Sequence, residues 1–250
     1  MHYMEVHKHP HDVTHKKKWG EYFLEFLMIF LAVFLGFLAE NWREHSVEKK
    51  REKQFINSLV KDVRKDVNWF DVVTRSSNER LNHLDSAILF FSRATDDKIT
   101  ANVYNDLQET MTQIIFIPFN QTITQLKSSG ELRLITNRNV VDSLEDYDRL
   151  LRRMEIRRDN TEQITRDFKE ALNKTIVASD LLDKWKDSII YHRKNSSSFS
   201  IKLNSQNLNE LINEILSLRS RVASDTTANA FVKRKAMTLI EFIRKEYHVR

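Results

Sequence analysis

The chain of 250 residues is long enough for one large folded unit or two small ones. It contains only three Gly and two Pro, so a fold of many strands joined by turns is strongly disfavoured and long helices are indicated. Cysteine is absent, which excludes disulfides and thiolate metal sites. The net charge of +5 is small and its basic residues are interleaved with acids, so no nucleic-acid partner is predicted.

A polar tail, residues 1–18, begins the chain and holds five of its nine histidines. His7, His9 and His11 alternate along the tail, a spacing at which three imidazoles can gather on Zn²⁺, Ni²⁺ or Cu²⁺. No carboxylate arrangement completes an enclosed site. The favoured interpretation is therefore a disordered, weakly chelating tail, and no cofactor is predicted.

A transmembrane helix is predicted at residues 19–42. Residues 26–39 carry no polar side chain, and widening this stretch by three residues reaches the short end of the length that crosses a bilayer. Trp19 and Trp42 stand at its edges, where aromatic side chains meet the membrane interface. The alternatives are a buried helix of a soluble protein and a cleaved signal peptide, although no good cleavage site follows.

Basic residues near the span predict its orientation. Lys16, Lys17 and Lys18 precede it directly, whereas Arg43 is followed by acids before the next basic cluster. Positive residues favour the cytoplasmic side. We therefore expect a single-pass protein with a cytoplasmic N-terminal tail and an external C-terminal domain.

One face of the span is suited to helix packing. Glu25, Ala32 and Gly36 share a helix face, and the two small residues, four positions apart, permit close approach of a second helix. An acid within a span normally faces a partner or water. The pattern predicts a homo-oligomer or a membrane-protein partner; the alternative places Glu25 among the lipid headgroups.

The remaining residues, 43–250, predict an elongated domain resembling a four-helix bundle. Helices are expected at about 43–92, 99–135 with breaks at 118 and 130, 138–178, and 205–247. Pro118 should end a helix, Gly130 should cap one and Asn137 should begin one. In the first helix, apolar residues with one polar layer recur at alternating steps of four and three, a heptad pattern. Its members are Ile56, Val60, Val63, Val67, Phe70, Thr74, Ser77, Leu81, Leu84, Ile88 and Phe91.

The most specific polar feature is a run of arginines at residues 149–158. Arg149, Arg153 and Arg157 form one stripe, whereas Arg158 continues the buried register and should need a carboxylate or an anionic ligand. We interpret the run as a solvated stripe plus an internal ion pair, with Asp66 or Asp71 as the acid. The alternative is an anion-binding pocket of the kind found in sensor bundles.

Two stretches resemble an uncharacterised single-span membrane protein family of Bacteroidota. Glu25–Glu44 is similar to its membrane segment, in which a Glu opens the span and an Asn-Trp-x-Glu sequence follows it. Thr124–Ile135 followed by Leu144–Tyr147 resembles its second signature, a Ser-Gly turn before a Leu-Ile pair and a Tyr-bearing helix. The His-rich start resembles one branch. The resemblance implies a membrane-anchored helical protein and no activity.

No motif indicates catalysis, since the chain has neither a Gly-rich phosphate loop nor a His-Glu-x-x-His sequence. An enzyme is therefore not expected. The leading hypothesis is a single-pass protein of a bacterial inner membrane, with a periplasmic C-terminal domain, that acts as a scaffold or accessory subunit through helical association. The alternative is an extracytoplasmic ligand-sensing bundle that signals through a partner protein.

Overall fold

The computed structural model describes residues 18–93, 98–182 and 200–249. The histidines His7, His9 and His11 lie outside the described residues. The chain divides into two compact units, residues 1–51 and residues 52–250. Each unit is described separately.

The described residues are predominantly helical, which confirms the all-α class. The helices are α1 (Trp19–Phe91), α2 (Ala101–Glu109), α3 (Gln121–Ser128), α4 (Arg138–Thr175) and α5 (Leu208–Tyr247). Short 3-10 turns cover Glu131–Leu134 and Ser205–Asn207, and residues 178–182 are also helical.

Two short strands were not predicted. Strand β1 (Lys98–Thr100) pairs antiparallel with β2 (Ser200–Lys202), and Ile99 lies opposite Ile201. Both isoleucines are fully buried while their strand neighbours are exposed. The pairing therefore fixes two β-branched side chains on the core face.

The second predicted helix is wrong in its middle. Helix α2 ends at Glu109, well before Pro118, and residues 112–120 have no regular secondary structure. This stretch is rich in β-branched and aromatic residues and precedes a proline, and both features disfavour the α conformation. Gly130 has φ +70°, the left-handed conformation expected of a residue that ends a helix. The Asn137 side chain accepts from the backbone N–H of Asn139 and Val140 at the start of α4.

Two apolar clusters form the core of residues 52–250, and α1, α4 and α5 contribute to both. The first contains Ile56–Val73 of α1, the early part of α4 and the late part of α5, together with α3. The second contains Leu84 and Ala87 of α1, the late part of α4 and the early part of α5, together with α2 and both strands. Helix α5 therefore runs against the direction of α1 and α4.

From Val67 onward, the buried face of α1 departs from the predicted heptad at every second position. Asp66, Val73, Arg80 and Ala87 are buried, whereas the predicted Val67, Thr74, Leu81 and Ile88 are only partly buried. The repeat of seven is retained, but its alternation of three and four is displaced by one residue. Two of the displaced positions, Asp66 and Arg80, carry charge.

In the other unit, the described residues 18–51 are exposed, and from Trp19 onward they are helical. The large apolar side chains from Phe23 to Leu38 are all exposed, Phe26 by 64% and Val33 by 69%. This helix is apolar and long enough to cross a membrane. A signal sequence near the N-terminus has the same properties.

Candidate functional site

A polar layer separates the two apolar clusters. Its side chains come from α1, α4, α5 and the irregular segment after α2. We define it by Arg80, Gln113, Arg157, Thr161, Thr165, Arg221, Asp225 and Asn229.

Arg80 is the most deeply buried cation of the layer, with 4% of its surface exposed. Its Nε donates to the Thr110 carbonyl at 2.6 Å, Nη1 to Gln113 Oε1 at 3.2 Å and Nη2 to Thr165 Oγ1 at 2.9 Å. All three acceptors are neutral, and among the described residues no carboxylate lies within ion-pair distance of it. Burial lowers the pKa of Arg80 to about 10, while the more distant charge of Asp225 acts in the opposite direction.

Asp225 of α5 is shared by three donors. It accepts from Arg157 Nε at 2.9 Å, from Arg221 Nε at 3.3 Å and from the Thr161 hydroxyl. Arg221 Nη2 also donates to the Arg157 carbonyl at 2.7 Å, which ties α5 to α4. This carboxylate is consequently saturated by its immediate neighbours.

A cavity of about 50 Å³ opens beside the layer. Its lining includes Arg80, Arg157, Arg158, Asp225 and Asn229, so it contains three cations and one anion. Asn229 is 4% exposed, and its Oδ1 is buried without a hydrogen-bond partner among the described residues. Natural proteins rarely leave such an oxygen unpaired, and a bound molecule is one of the usual reasons.

The predicted partners of Arg158 are wrong. Arg158 borders the cavity, but it is paired with the neighbouring Asp159 at 2.9 Å and lies 3.9 Å from Glu162. Asp66 and Asp71 are engaged elsewhere. A third of the Arg158 side chain remains exposed, so it does not require the internal acid that its register suggested.

Of the other predicted arginines, Arg157 belongs to the polar layer and Arg153 does not. Arg153 is exposed and borders a separate surface groove of about 470 Å³ between α4 and α5. Arg149 and Lys235 border the same groove, together with the exposed Phe231. The run of arginines therefore contributes side chains both to the cavity beside the polar layer and to this groove.

Asp66 is buried in the first apolar cluster, with 1% of its surface exposed. It accepts from the backbone N–H of Phe119 at 2.7 Å and from the Tyr147 hydroxyl at 2.8 Å. Burial raises its pKa, with a smaller contribution from Asp62, while the two hydrogen bonds oppose the rise. Asp71 instead contacts Lys233 at the surface.

Helix α1 holds backbone groups between residues 110 and 136 through five side chains. Two are donors and three are acceptors. The contacts are Arg80 with the Thr110 carbonyl, Trp69 with the Ile115 carbonyl, and Asp66, Asp62 and Glu52 with the N–H groups of Phe119, Thr122 and Thr136. A segment without its own hydrogen-bond ladder is satisfied in this way.

The predicted packing face of the span lies in the other unit. A side chain added at Gly36 would meet nothing within 4 Å in the described chain, so no contact within the chain requires glycine there. Among the described residues, no group of three or more His, Asp or Glu side chains has the proximity of a metal site.

Sequence reasoning missed Arg80, Asp225 and Asn229. Their common signal is a spacing from apolar positions: Arg80 lies four residues before the buried Leu84, and Asn229 lies three before the buried Val232. Asp225 follows Val222 by three in the same way. Each stands where an apolar residue would continue the stripe, and a search restricted to apolar types passes over it.

Comparison of the chain with protein-family models, with curated proteins and with solved structures gives no match. The resemblance noted from the sequence therefore remains an expectation, and the functional proposal rests on the residues described above.

Proposed function

We propose that this is a single-pass membrane protein whose helical domain acts as a scaffold or accessory subunit, without catalysis. The bilayer is its first partner, a bacterial inner membrane its location, and the periplasm the compartment of residues 43–250. The fold proposed for these residues is an elongated arrangement resembling a four-helix bundle.

The exposed apolar surface of residues 23–38 carries this proposal. The domain of residues 52–250 buries most of its large apolar side chains in two clusters, yet none of the most apolar stretch of α1 is buried. Contiguous apolar surface of this extent indicates contact with a membrane or another protein. Its length and composition fit a bilayer.

Alkaline carbonate extraction of membranes tests the anchor. The full-length chain should stay in the pellet, because a spanning helix is held by its apolar burial and not by surface charge. Recovery of the full-length protein in the supernatant would contradict the proposal. Recovery of a shortened, soluble chain would instead identify residues 19–42 as a cleaved signal peptide.

A scaffold needs a partner, and cross-linking in native membranes followed by mass spectrometry identifies one. Stable capture of a second copy or of one membrane protein is the expected result. If cross-linking recovers only the isolated monomer, association is not its mode of action.

The second candidate function is ligand sensing, in which the domain signals through a partner protein. It is favoured by one observation, a cavity whose lining includes both Asn229, with its unpaired Oδ1, and the buried Arg80. If the layer were solely structural, its replacement as a whole by apolar side chains would cost little or no stability, although replacing one member alone leaves its partners unpaired.

A further inference from the structure

We propose that the cavity in the polar layer binds a small hydroxycarboxylate anion, with the carboxylate on Arg80 and the hydroxyl on Asn229. This proposal deepens the second candidate function and rests on it. It is independent of how the chain is anchored.

The net positive charge of the residues that line the cavity favours an anion as the ligand. A guanidinium has five N–H donors, and Arg80 uses three of them on neutral acceptors. Asp225 is already shared by Arg157, Arg221 and Thr161, so it does not neutralise Arg80 by contact. The two remaining donors can take a carboxylate in the forked geometry that arginine prefers.

The buried side-chain amide of Asn229 favours a ligand that also carries a hydrogen-bond donor. Asn229 Oδ1 is an acceptor with no partner, and a bare anion would place further negative charge beside it. A hydroxyl group next to the carboxylate resolves both demands, since it donates to the amide oxygen while the carboxylate accepts from Arg80.

The size of the cavity limits the ligand. A volume of about 50 Å³ gives room for roughly three water molecules at about 10–15 Å³ each. A molecule the size of glycolate fits this space, whereas a nucleotide or a sugar does not. The apolar part of the lining, which includes Val73 and Phe116, suits a short hydrocarbon backbone.

Thermal unfolding of the full-length protein in lipid nanodiscs tests the proposal. Sodium glycolate, sodium acetate and sodium phosphate are added separately, with sodium chloride holding the ionic strength constant. Trp69 provides a fluorescence signal near the site, because its indole donates to the carbonyl of Ile115, which borders the cavity. Glycolate should raise the Tm progressively, with the logarithm of its concentration once this exceeds the Kd, and acetate should bind at least about tenfold more weakly, since it leaves Asn229 unpaired.

Two substitutions assign the effect to the cavity. Asn229→Leu removes the unpaired oxygen at similar volume, so the variant should fold and lose the glycolate shift. Asn213→Leu makes the same change at an exposed position of α5 and should keep the shift. Arg80→Lys retains the charge without the fork and should weaken the glycolate response at least about tenfold.

Three results would overturn the proposal. A glycolate response no larger than that of chloride means that the cavity holds water only. A response that Asn229→Leu retains arises elsewhere on the protein. A response to phosphate alone that depends on Asn229 would reject the hydroxycarboxylate and leave ligand sensing in place.

Discussion

At Arg80 and Asp66, charged side chains occupy positions that an ordinary heptad would fill with apolar ones. Each is buried by 96% or more and each is bound to backbone groups of the segment after α2. Their hydrogen bonds recover part of the cost of burial. Removing either side chain therefore leaves a buried backbone group without a hydrogen-bond partner, in addition to leaving a cavity.

Arg80→Met should destabilise the protein by about 1–3 kcal/mol, because the buried carbonyl of Thr110 loses its partner. At roughly 2–4 °C per kcal/mol for a domain of this size, the Tm should fall by several degrees. Arg75→Met, at an exposed position of α1, is the matched control and should leave the Tm nearly unchanged. Equal melting of both variants would show that the buried guanidinium contributes no net stability.

Asp66→Asn should alter the pH dependence of stability. The pKa of Asp66 is raised in the folded state above the reference value of 3.8, so the carboxyl stabilises the fold most below about pH 3.8. This contribution is lost as the pH rises through the folded-state pKa. The Tm advantage of the wild type over the variant should consequently shrink as the pH rises.

Tyr147→Phe provides the complementary change. It removes a hydrogen bond that lowers the Asp66 pKa, so this pKa should rise further. The stabilising contribution of Asp66 should therefore persist to higher pH than in the wild type. Superimposable pH profiles for the wild type and both variants would show that Asp66 does not titrate in the folded protein as described.

The existence of a heptad on α1 was predictable, but its displaced phase was not. Val67 and Leu81 are apolar neighbours of the residues that are actually buried, so they satisfied the periodic pattern equally well. What selects Asp66 and Arg80 is the backbone of a segment roughly 30–50 residues away, which needs an acceptor and a donor at those positions. A pattern local to one helix contains no information on that need.

At the scale of elements, α3 begins without a cap of its own. Its N-cap residue, Asn120, makes no side-chain hydrogen bond, whereas Asp62 of α1 accepts from the backbone N–H of Thr122 at 3.2 Å and from its hydroxyl at 2.6 Å. A carboxylate from another helix thus supplies the charge and the acceptor that a helix start requires.

Asp62→Ala should destabilise α3 by about 1 kcal/mol, since the N-terminal N–H groups lose this cap. Hydrogen exchange, followed by mass spectrometry of peptides covering residues 119–128, should become faster. Asp71→Ala breaks only a surface pair with Lys233 and should leave those peptides unchanged. Identical protection in both variants would mean that α3 does not depend on α1 for its cap.

The helices with regular apolar spacing were predictable to within a few residues at most ends. Helix α4 begins at the predicted residue because its cap, Asn137, is local in sequence. The strands β1 and β2 are three residues each and pair across about 100 residues of chain. Such short segments carry no periodic signal, and only the tertiary pairing makes them strands.

For the whole molecule, the main exposed apolar surface is the helix of residues 23–38. The face containing Glu25, Ala32 and Gly36 is proposed to pack against a second copy within the bilayer. The rings of Phe30 and Phe34 stack with their centroids 5.9 Å apart within the same helix. These two side chains are bulky, whereas Gly36 has none.

Gly36→Leu should weaken self-association of the isolated span, residues 16–46, in a bilayer dimerisation reporter. A bulky side chain prevents the close approach that small residues allow. Phe34→Leu lies off this face and is the control. If both variants give equally strong signals, Gly36 is not at an interface and Glu25 is better interpreted as a headgroup-level anchor.

The interhelical contribution of Glu25 should be modest. Polar contacts between membrane helices average about 0.6 kcal/mol and reach about 1.7 kcal/mol, so Glu25→Gln should change the dimerisation constant by a factor of about three to twenty. A change beyond this range would indicate that the carboxylate has a role other than packing.

The attachment of the irregular segment to α1 has a consequence for divergence. Asp66, Trp69 and Arg80 of α1 hold main-chain atoms of this segment, which every amino acid provides, so residues 110–120 can accept many substitutions without losing these three contacts. The three side chains of α1 cannot be replaced so freely, because each supplies a specific donor or acceptor. Distant relatives of this chain should therefore be recognised by an acceptor and two donors at the spacing of Asp66, Trp69 and Arg80, even where the segment they hold has diverged beyond alignment.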